Sequence, residues 1–209
     1  AKIGRLDYTK AFIENMLIAE RLSQMGMPIK YFVIAAPSRE GLEAYRKVSY
    51  DTIALAQEIN RRNYERLGYD IIFLRNDGIP FGESLVCFMR DCDIYLDASK
   101  TDGKHLTPEE AIIAKSVLPY EQRGVVVIGE NTGTGWQHST EGFGPEDGLV
   151  IINPEDIEGS ASEIMRTVRS RYNVSDILIA FRTNHDVNKW VYDIEESMKE
   201  ALSGNEFSL

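Results

Sequence analysis

The stretch IYLDASKTDGKHLTPEE, residues 94–110, carries the local pattern that decides the fold. Its first three residues, Ile94–Leu96, form a short apolar run of the kind found in buried strands. A polar loop with an Asp-Gly turn at 102–103 follows. The run TPEE at 107–110 then combines a T-x-x-E capping box with a proline at the first helical position, which predicts a helix from about residue 108.

The same strand, loop and helix pattern recurs along the chain. Apolar runs bounded by polar or turn residues predict further buried strands at 31–36, 70–74, 125–128 and 149–152. Helical spacing of apolar residues predicts helices at 42–67, 83–90, 108–117, 156–168 and 185–202. The longest predicted loop, at 130–147, is rich in glycine and threonine. Because strands alternate with helices, we predict an α/β fold with a Rossmann-like doubly wound parallel sheet, in a single domain over residues 1–209.

The charge balance excludes two classes of partner. The 209 residues include 23 Lys and Arg against 33 Asp and Glu, a net charge of −10, whereas nucleic-acid and anionic-membrane binders need a basic face. The charge is uneven: residues 1–70 hold 11 basic and 9 acidic side chains, whereas residues 71–209 hold 12 and 24. We therefore expect no nucleic-acid partner and no membrane partner, and we expect any anion-binding side chains early in the chain.

Cysteine use and hydropathy indicate the compartment. No apolar run approaches the roughly 20 residues of a membrane-spanning helix, and no secretory signal opens the chain. Cys87 and Cys92, five positions apart near one predicted helix, point to different sides, so they are expected to be reduced thiols. The sequence predicts a cytoplasmic protein.

Residues 2–4 are predicted to be the tail of a first strand and residues 12–22 a first helix, and basic side chains follow this strand and the strand at 31–36. Arg5 and Lys10 straddle the turn into the first helix, where a guanidinium, an ammonium and a helix N-terminus would together form a diphosphate cradle. Arg39 is predicted at the start of the next helix, where the helix dipole disfavours a cation. Ligands of doubly wound sheets bind at the carboxyl ends of strands, which favours a functional role. On spacing alone, the alternative of solvated surface charges stays open for all three.

The loop after Ile94–Leu96 offers a second anion site. The backbone N–H groups of Lys104, His105 and Leu106 are expected beside a helix start at a strand's carboxyl end. A purely structural role stays open as well, because Thr107 and Glu110 would be reciprocal caps of that helix.

Other patterns argue against metal and dinucleotide chemistry. The three histidines show no metal-ligand spacing. Neither a P-loop nor a full G-x-G-x-x-G is present, and Gly133-Thr134-Gly135 alone is a weak signal. We therefore predict no metal and no cofactor.

Taken in order, several motifs resemble the trehalose-6-phosphate synthases, which are retaining glycosyltransferases of the GT-B fold. The run RLDYTK at 5–10 is similar to the family's R-L-D-Y-[ST]-K, and DGKHLTPEE at 102–110 aligns with D-G-M-N-L-V-x-K-E. Weaker matches that support the order are Ala35-Ala36-Pro37-Ser38-Arg39, Ile59-Asn60, Asp93-Ile94-Tyr95-Leu96, Asn153-Pro154 and Trp190. The resemblance covers nearly the whole chain.

The resemblance implies a role for each candidate residue. Arg5 and Lys10 would bind the nucleoside diphosphate and stabilise it as the leaving group, and Asp102 would act with them in catalysis. The sugar of the donor would be held by Asp102 and by the backbone amides of Gly103, Lys104, His105 and Leu106. Glu110 would bind the ribose hydroxyls, and Arg39 would bind the phosphate of a phosphorylated acceptor. Preorganised cations and N–H groups supply the positive charge that a departing diphosphate needs, so no metal is implied.

The sequence also departs from the family at four kinds of position. Ala11 replaces a glycine, Lys104 and His105 replace methionine and asparagine, and Glu109 replaces a lysine. Residues 129–135, GENTGTG, stand where the family has F-A-G-A-A. Because these positions border the donor sugar and the acceptor, a pseudo-glycosyltransferase acting on a cyclitol stays an alternative.

The match is to the C-terminal, donor-binding domain only. The resemblance therefore implies that the amino-terminal GT-B domain is absent from this chain, together with most of the acceptor site. We expect part of an enzyme that uses UDP- or GDP-glucose and a phosphorylated acceptor, and that is inactive as an isolated domain. A stand-alone nucleotide-sugar-binding module without catalysis is the main alternative, and an epimerase of similar fold is a third.

Overall fold

The computed structural model describes residues 1–39, 41–77 and 82–184 of the chain. Strands and helices alternate through these residues. The strands are β1 (Lys2–Arg5), β2 (Tyr31–Ala36), β3 (Ile72–Arg75), β4 (Ile94–Leu96), β5 (Val125–Gly129) and β6 (Leu149–Ile152). The helices are α1 (Phe12–Gln24), α2 (Glu43–Leu67), α3 (Glu83–Asp91), α4 (Leu106–Lys115), α5 (Gly133–Thr140), α6 (Ile157–Arg169) and α7 (Asp176–Asn184). Short 3-10 turns occur at Tyr8–Lys10, Tyr120–Gln122 and Pro145–Asp147.

The strands form two parallel halves that meet at the first residue. β1, β2 and β3 pair in that order, as do β4, β5 and β6, and each pair is parallel. The Ala1 nitrogen donates to the Ile94 carbonyl at 2.6 Å, and the Ala1 carbonyl accepts from the Leu96 N–H at 2.9 Å. The strand order is therefore β3-β2-β1-β4-β5-β6, with the topological switch point between β1 and β4.

Helices cover both faces of the sheet, as a doubly wound fold requires. One core includes Phe12 of α1, Ile59 of α2 and Ile164 of α6. The other includes Met89 of α3 and Ile112 of α4, with further side chains from α7. β5 is buried along its whole length because both of its faces are covered, which is why it reads as a continuous run of valine and isoleucine. The predicted fold class is confirmed.

Helix α4 begins differently from the prediction. It starts at Leu106, two residues early, and His105 occupies the N-cap position, where its side chain makes no capping hydrogen bond to the helix. The Thr107 hydroxyl donates instead to the Asp97 carboxylate, at 2.7 Å. A buried carboxylate gains more from this donor than an exposed helix terminus does. The prediction that Thr107 and Glu110 cap the helix reciprocally is wrong.

The predicted loop at 130–147 contains a helix. The side chain of Thr132 caps α5 by accepting from the Gly135 N–H at 2.9 Å. The predicted helix at 185–202, with Trp190, lies outside the described residues. Among the helices that are described, none is both long and apolar enough to cross a bilayer.

Candidate functional site

The loop after β1 presents its cations at the switch point. Arg5 ends β1 with an exposed side chain. The Asp7 carboxylate then caps the Tyr8–Lys10 turn by accepting from the Thr9 N–H at 3.0 Å. Ala11 enters α1 with a left-handed φ of 51°. Arg5 and Lys10 therefore both lie at the carboxyl end of β1, as the sequence predicts.

Contacts from this loop and from α1 hold both against the loop after β4. The Lys10 ammonium forms an ion pair with the Asp102 carboxylate, and both side chains are about one-fifth exposed. Asn15, buried on α1, donates to the Ala98 carbonyl at 2.7 Å and accepts from the Ala98 N–H at 3.1 Å. The structure thus brings together a cation and a carboxylate that lie 92 residues apart in sequence.

A buried polar network lies beneath these loops, centred on Asp97. Its Oδ1 pairs with the Lys2 ammonium of β1. Its Oδ2 accepts from Thr107 at 2.7 Å, and lies 3.3 Å from His105 Nε2 and 3.4 Å from the Tyr95 hydroxyl. Burial raises the pKa of Asp97, but Lys2 and His105 lower it by more, so the pKa is held well below its usual range. Asp97 therefore stays ionised and ties the β4–α4 loop, residues 97–105, to β1.

The β4–α4 loop exposes its backbone but not all of its side chains. Gly103, Lys104 and Leu106 are exposed, whereas His105 is only 3% exposed. Its Nδ1 lies 3.3 Å from the Ser99 hydroxyl, so the ring faces the core. Of His105, therefore, only the backbone is available for the predicted role in donor binding. That the backbone amides of this loop bind an anion or a sugar stays a prediction.

The two glutamates of α4 have different surroundings. Glu109 is buried and lies 3.2 Å from the Thr134 hydroxyl, 3.1 Å from Arg182 and 3.9 Å from the Lys104 ammonium. Burial raises its pKa, although Arg182 and Lys104 oppose this. Glu110 is half-buried, and burial followed by the charge of Glu109 raises its pKa. Glu109 links α4 to α5 and α7, which leaves Glu110 as the candidate ribose ligand.

Arg39 lies at the carboxyl end of β2 in a strained conformation. Its φ of 47° is left-handed, a conformation that costs a non-glycine residue of order 1 kcal/mol and that clusters at functional sites. Its guanidinium donates to the Tyr45 hydroxyl at 2.7 Å, and the Tyr45 ring meets the edge of Tyr8 with centroids 6.2 Å apart. Tyr45 also lines a cavity of about 230 Å³ with Leu6 and Ser38. Tyr8 belongs to the RLDYTK motif, whereas Tyr45 had no sequence signal, because its contact with Arg39 depends on the tertiary fold.

No metal centre is evident in the described part of the chain. Within it, no cluster of three or more histidine, cysteine, aspartate or glutamate side chains could hold a metal ion. That the chemistry needs neither metal nor cofactor stays a prediction.

The chain matches one family of proteins over almost all of its length. The model of glycosyltransferase family 20 matches residues 2–200. The UDP-forming alpha,alpha-trehalose-phosphate synthase A of Dictyostelium discoideum is 27% identical over 212 residues, which cover 98% of this chain and 27% of that protein. The trehalose-6-phosphate synthase of Mycobacterium avium is 26% identical, over 95% of this chain and 39% of that protein. The chain thus spans well under half the length of these curated relatives.

Solved structures share the fold. A structure from E. coli bound with UDP-2-fluoro glucose superimposes with a TM-score of 0.75 at 23% identity, covering 95% of this chain and 43% of that one. An alpha,alpha-trehalose-phosphate synthase from Burkholderia xenovorans, in complex with glucose-6-phosphate, gives a TM-score of 0.74 at 22% identity, with 95% and 43% covered. This likeness shows a Rossmann-like domain of the GT-B fold. Because the family model spans nearly every residue of that domain, the chain belongs to glycosyltransferase family 20.

Proposed function

We propose that this chain is the donor-binding part of a retaining glycosyltransferase that moves glucose from a nucleoside diphosphate to a phosphorylated sugar. The observation that carries the proposal is the contact between Lys10 and Asp102 at the switch point. One pair supplies a cation for the phosphates and a carboxylate for the sugar hydroxyls of a single bound donor.

The charges around this pair suit a departing diphosphate. As the bond to the sugar breaks, negative charge grows on the leaving phosphate oxygen. Arg5, Lys10 and the N–H groups at the start of α4 would stabilise that charge, since they are held in place before the reaction. Asp102 would accept hydrogen bonds from the sugar, and Glu110 from the ribose. UDP is the favoured nucleotide, because one relative is named as UDP-forming and one similar structure holds UDP-2-fluoro glucose.

The acceptor would meet this chain at Arg39. Its guanidinium suits a phosphate dianion, and a similar structure was solved with glucose-6-phosphate. The rest of the acceptor site would come from an amino-terminal domain, because this chain covers under half of its relatives. We place the enzyme in the cytoplasm, which the free thiols of Cys87 and Cys92 support.

The proposal is tested by calorimetric titration of the chain with UDP, GDP and ADP. We expect Arg5→Ala to weaken nucleotide binding by about 1.5–3 kcal/mol, the usual worth of a hydrogen bond to a charged group. The matched control is Arg61→Ala on α2, where the arginine is 58% exposed and pairs with Glu58 and Glu65. That variant should bind as the parent does. Absence of binding to any nucleotide, or equal behaviour of the two variants, would show the proposal to be wrong.

A further inference from the structure

A cavity of about 400 Å³ opens beside the β4–α4 loop, outside the Lys10–Asp102 pair. One wall is Gly103 and Lys104, and the other is the face of α5 that carries Gly133, Trp136 and Gln137, continued by Thr140 and Glu141. These α5 positions recur at intervals of three, four, seven and eight, so they share one side of the helix. The volume falls within the range of small-ligand pockets.

The two walls are held at a fixed separation. The Gly133 N–H donates to the Asp102 carbonyl at 3.1 Å, and Asp102 also forms a β-bridge with Thr132. A side chain at position 133 would collide with the backbone, since its Cβ would lie 1.9 Å from the Gly103 carbonyl oxygen. A Cβ on Gly103 would meet nothing within 4 Å. The missing side chain at Gly133 therefore lets the loops stay in contact, and the missing side chain at Gly103 leaves the cavity open.

The lining is chemically mixed in a way that suits a sugar ring. Trp136 is 69% exposed and offers an indole face with a single N–H donor. Gln137 and Glu141 contribute a planar amide and a carboxylate, and neither has a side-chain hydrogen bond within the described residues. The charged groups of the lining are one ammonium, that of Lys104, and one carboxylate, that of Glu141, so the lining has no net charge and favours an uncharged ligand. A pyranose presents an apolar C–H face to an indole and a rim of hydroxyls to such polar groups.

We propose that Trp136 is the platform of a carbohydrate subsite formed by α5 and the β4–α4 loop. This inference rests on the proposed function, because one wall of the subsite is the loop that would hold the donor. The ring that it takes is either the hexose of a nucleotide sugar or a free saccharide, and the chemistry that recognises the two is the same. Lys104, which departs from the family, and Gly133, from the divergent stretch 129–135, both line this cavity, so we infer that they act together in sugar selection.

The test is a titration of the 209-residue chain followed by the indole N–H signals in NMR spectra. The chain has two tryptophans, and Trp136→Phe assigns the signal of Trp136. UDP, UDP-glucose, glucose and trehalose are the probes. We expect UDP-glucose to shift the Trp136 signal and UDP alone to leave it in place. A shift with free glucose or trehalose identifies a subsite open to detached sugars, and a shift with UDP-glucose only identifies the donor hexose.

Affinities supply the second readout. Trp136→Ala should weaken UDP-glucose binding about tenfold, the scale of one lost aromatic contact, and should leave UDP binding within about twofold. Because Trp136 is exposed, its truncation leaves the core intact. Tyr64→Ala, which removes a similarly exposed aromatic side chain from α2, is the control and should change neither affinity.

The outcomes separate this inference from the proposed function. If UDP-glucose binds but no sugar-bearing probe moves the Trp136 signal, the subsite does not exist. If UDP alone moves it, the indole stacks on a base, and the inference is also wrong. If no nucleotide binds at all, the proposed function fails. Glucose and trehalose then still test the subsite, and the inference is overturned if neither of them shifts the Trp136 signal.

Discussion

Asp97 is a buried anion whose surroundings explain why the core tolerates a charge. Burying a carboxylate costs several kcal/mol unless a countercharge and hydrogen bonds compensate. Lys2 supplies the countercharge, while Thr107 and the neighbouring ring nitrogen of His105 occupy the second oxygen. The network spans the switch point, so the position of the β4–α4 loop depends on one ionised side chain. Sequence patterns did not reveal it, because Lys2 and Asp97 are 95 positions apart and no local pattern links them.

Asp97→Asn should destabilise the chain by about 3–5 kcal/mol at pH 7, because it leaves the Lys2 ammonium buried without its counterion. The pKa of Asp97 is lowered in the folded state, so its charge stabilises the fold above the unfolded pKa of about 3.9 and does so less as pH falls below that value. The cost of the substitution should therefore shrink at pH 3. Urea unfolding at both pH values measures it.

The control for this comparison is Asp51→Asn, which breaks an exposed ion pair with Lys47 and should cost less than about 1 kcal/mol. If Asp97→Asn lowers the unfolding free energy equally at pH 7 and pH 3, its effect is due to packing. If at pH 7 it lowers that free energy no more than the control does, the charge network does not stabilise the fold.

At the scale of elements, the contact between the β5–α5 turn and the β4–α4 loop depends on glycine. The Gly129 position is as close-packed as Gly133, since its Cβ would lie 2.0 Å from the Ser99 carbonyl oxygen of the β4–α4 loop. These glycines let two loops approach along their backbones, and the hydrogen bond from Gly133 to Asp102 fixes the approach. The geometry of the Lys10–Asp102 pair thus depends on a turn whose own side chains are not part of that pair.

Gly133→Ala should force the two loops apart, because the new methyl group would lie 1.9 Å from the Gly103 carbonyl oxygen. We expect a loss of about 1–3 kcal/mol in unfolding free energy, as for overpacked sites, together with weaker UDP-glucose binding. Thermal and urea unfolding give the first quantity and calorimetry the second. Gly103→Ala is the stability control, since its Cβ enters open space and should cost under about 1 kcal/mol. Equal stability of the two variants would contradict the packing explanation.

The sequence predicts best those elements whose burial produces a recognisable pattern of apolar residues. β5 and α2 are examples: one is apolar throughout, and the other was predicted to within one residue of Glu43–Leu67. α5 was missed because it is short, holds two glycines and turns its tryptophan outward. The start of α4 was misplaced because a tertiary acceptor, Asp97, took the hydroxyl that a local pattern assigned to a cap. Local patterns report burial well and long-range polar contacts poorly.

For the whole molecule, the net charge of −10 conceals a local concentration of positive charge. Arg5 and Lys10 follow β1 and Arg39 follows β2, so all three stand at the carboxyl edge of the sheet, near its switch point. The fold therefore collects cations at one edge while acidic side chains predominate in residues 71–209. We expect such an edge to bind an anion although the protein is not basic as a whole.

We expect the binding edge of this sheet to be insufficient for catalysis by the chain alone. Glycosyl transfer needs the donor and acceptor aligned and screened from bulk water, and on this chain only Arg39 is assigned to the acceptor. We expect the purified 209-residue chain to bind UDP and UDP-glucose yet to release no UDP above background when glucose-6-phosphate is supplied. A coupled assay for UDP release measures this, with the UDP-forming synthase of Dictyostelium discoideum as the positive control. Sustained release by the chain, abolished in Arg5→Ala, would mean that the donor domain carries a complete active site.

Binding without release fits both an enzyme part and a binding module. Adding the portion of a full-length relative that this chain does not cover distinguishes them, because only an enzyme part would then regain transfer.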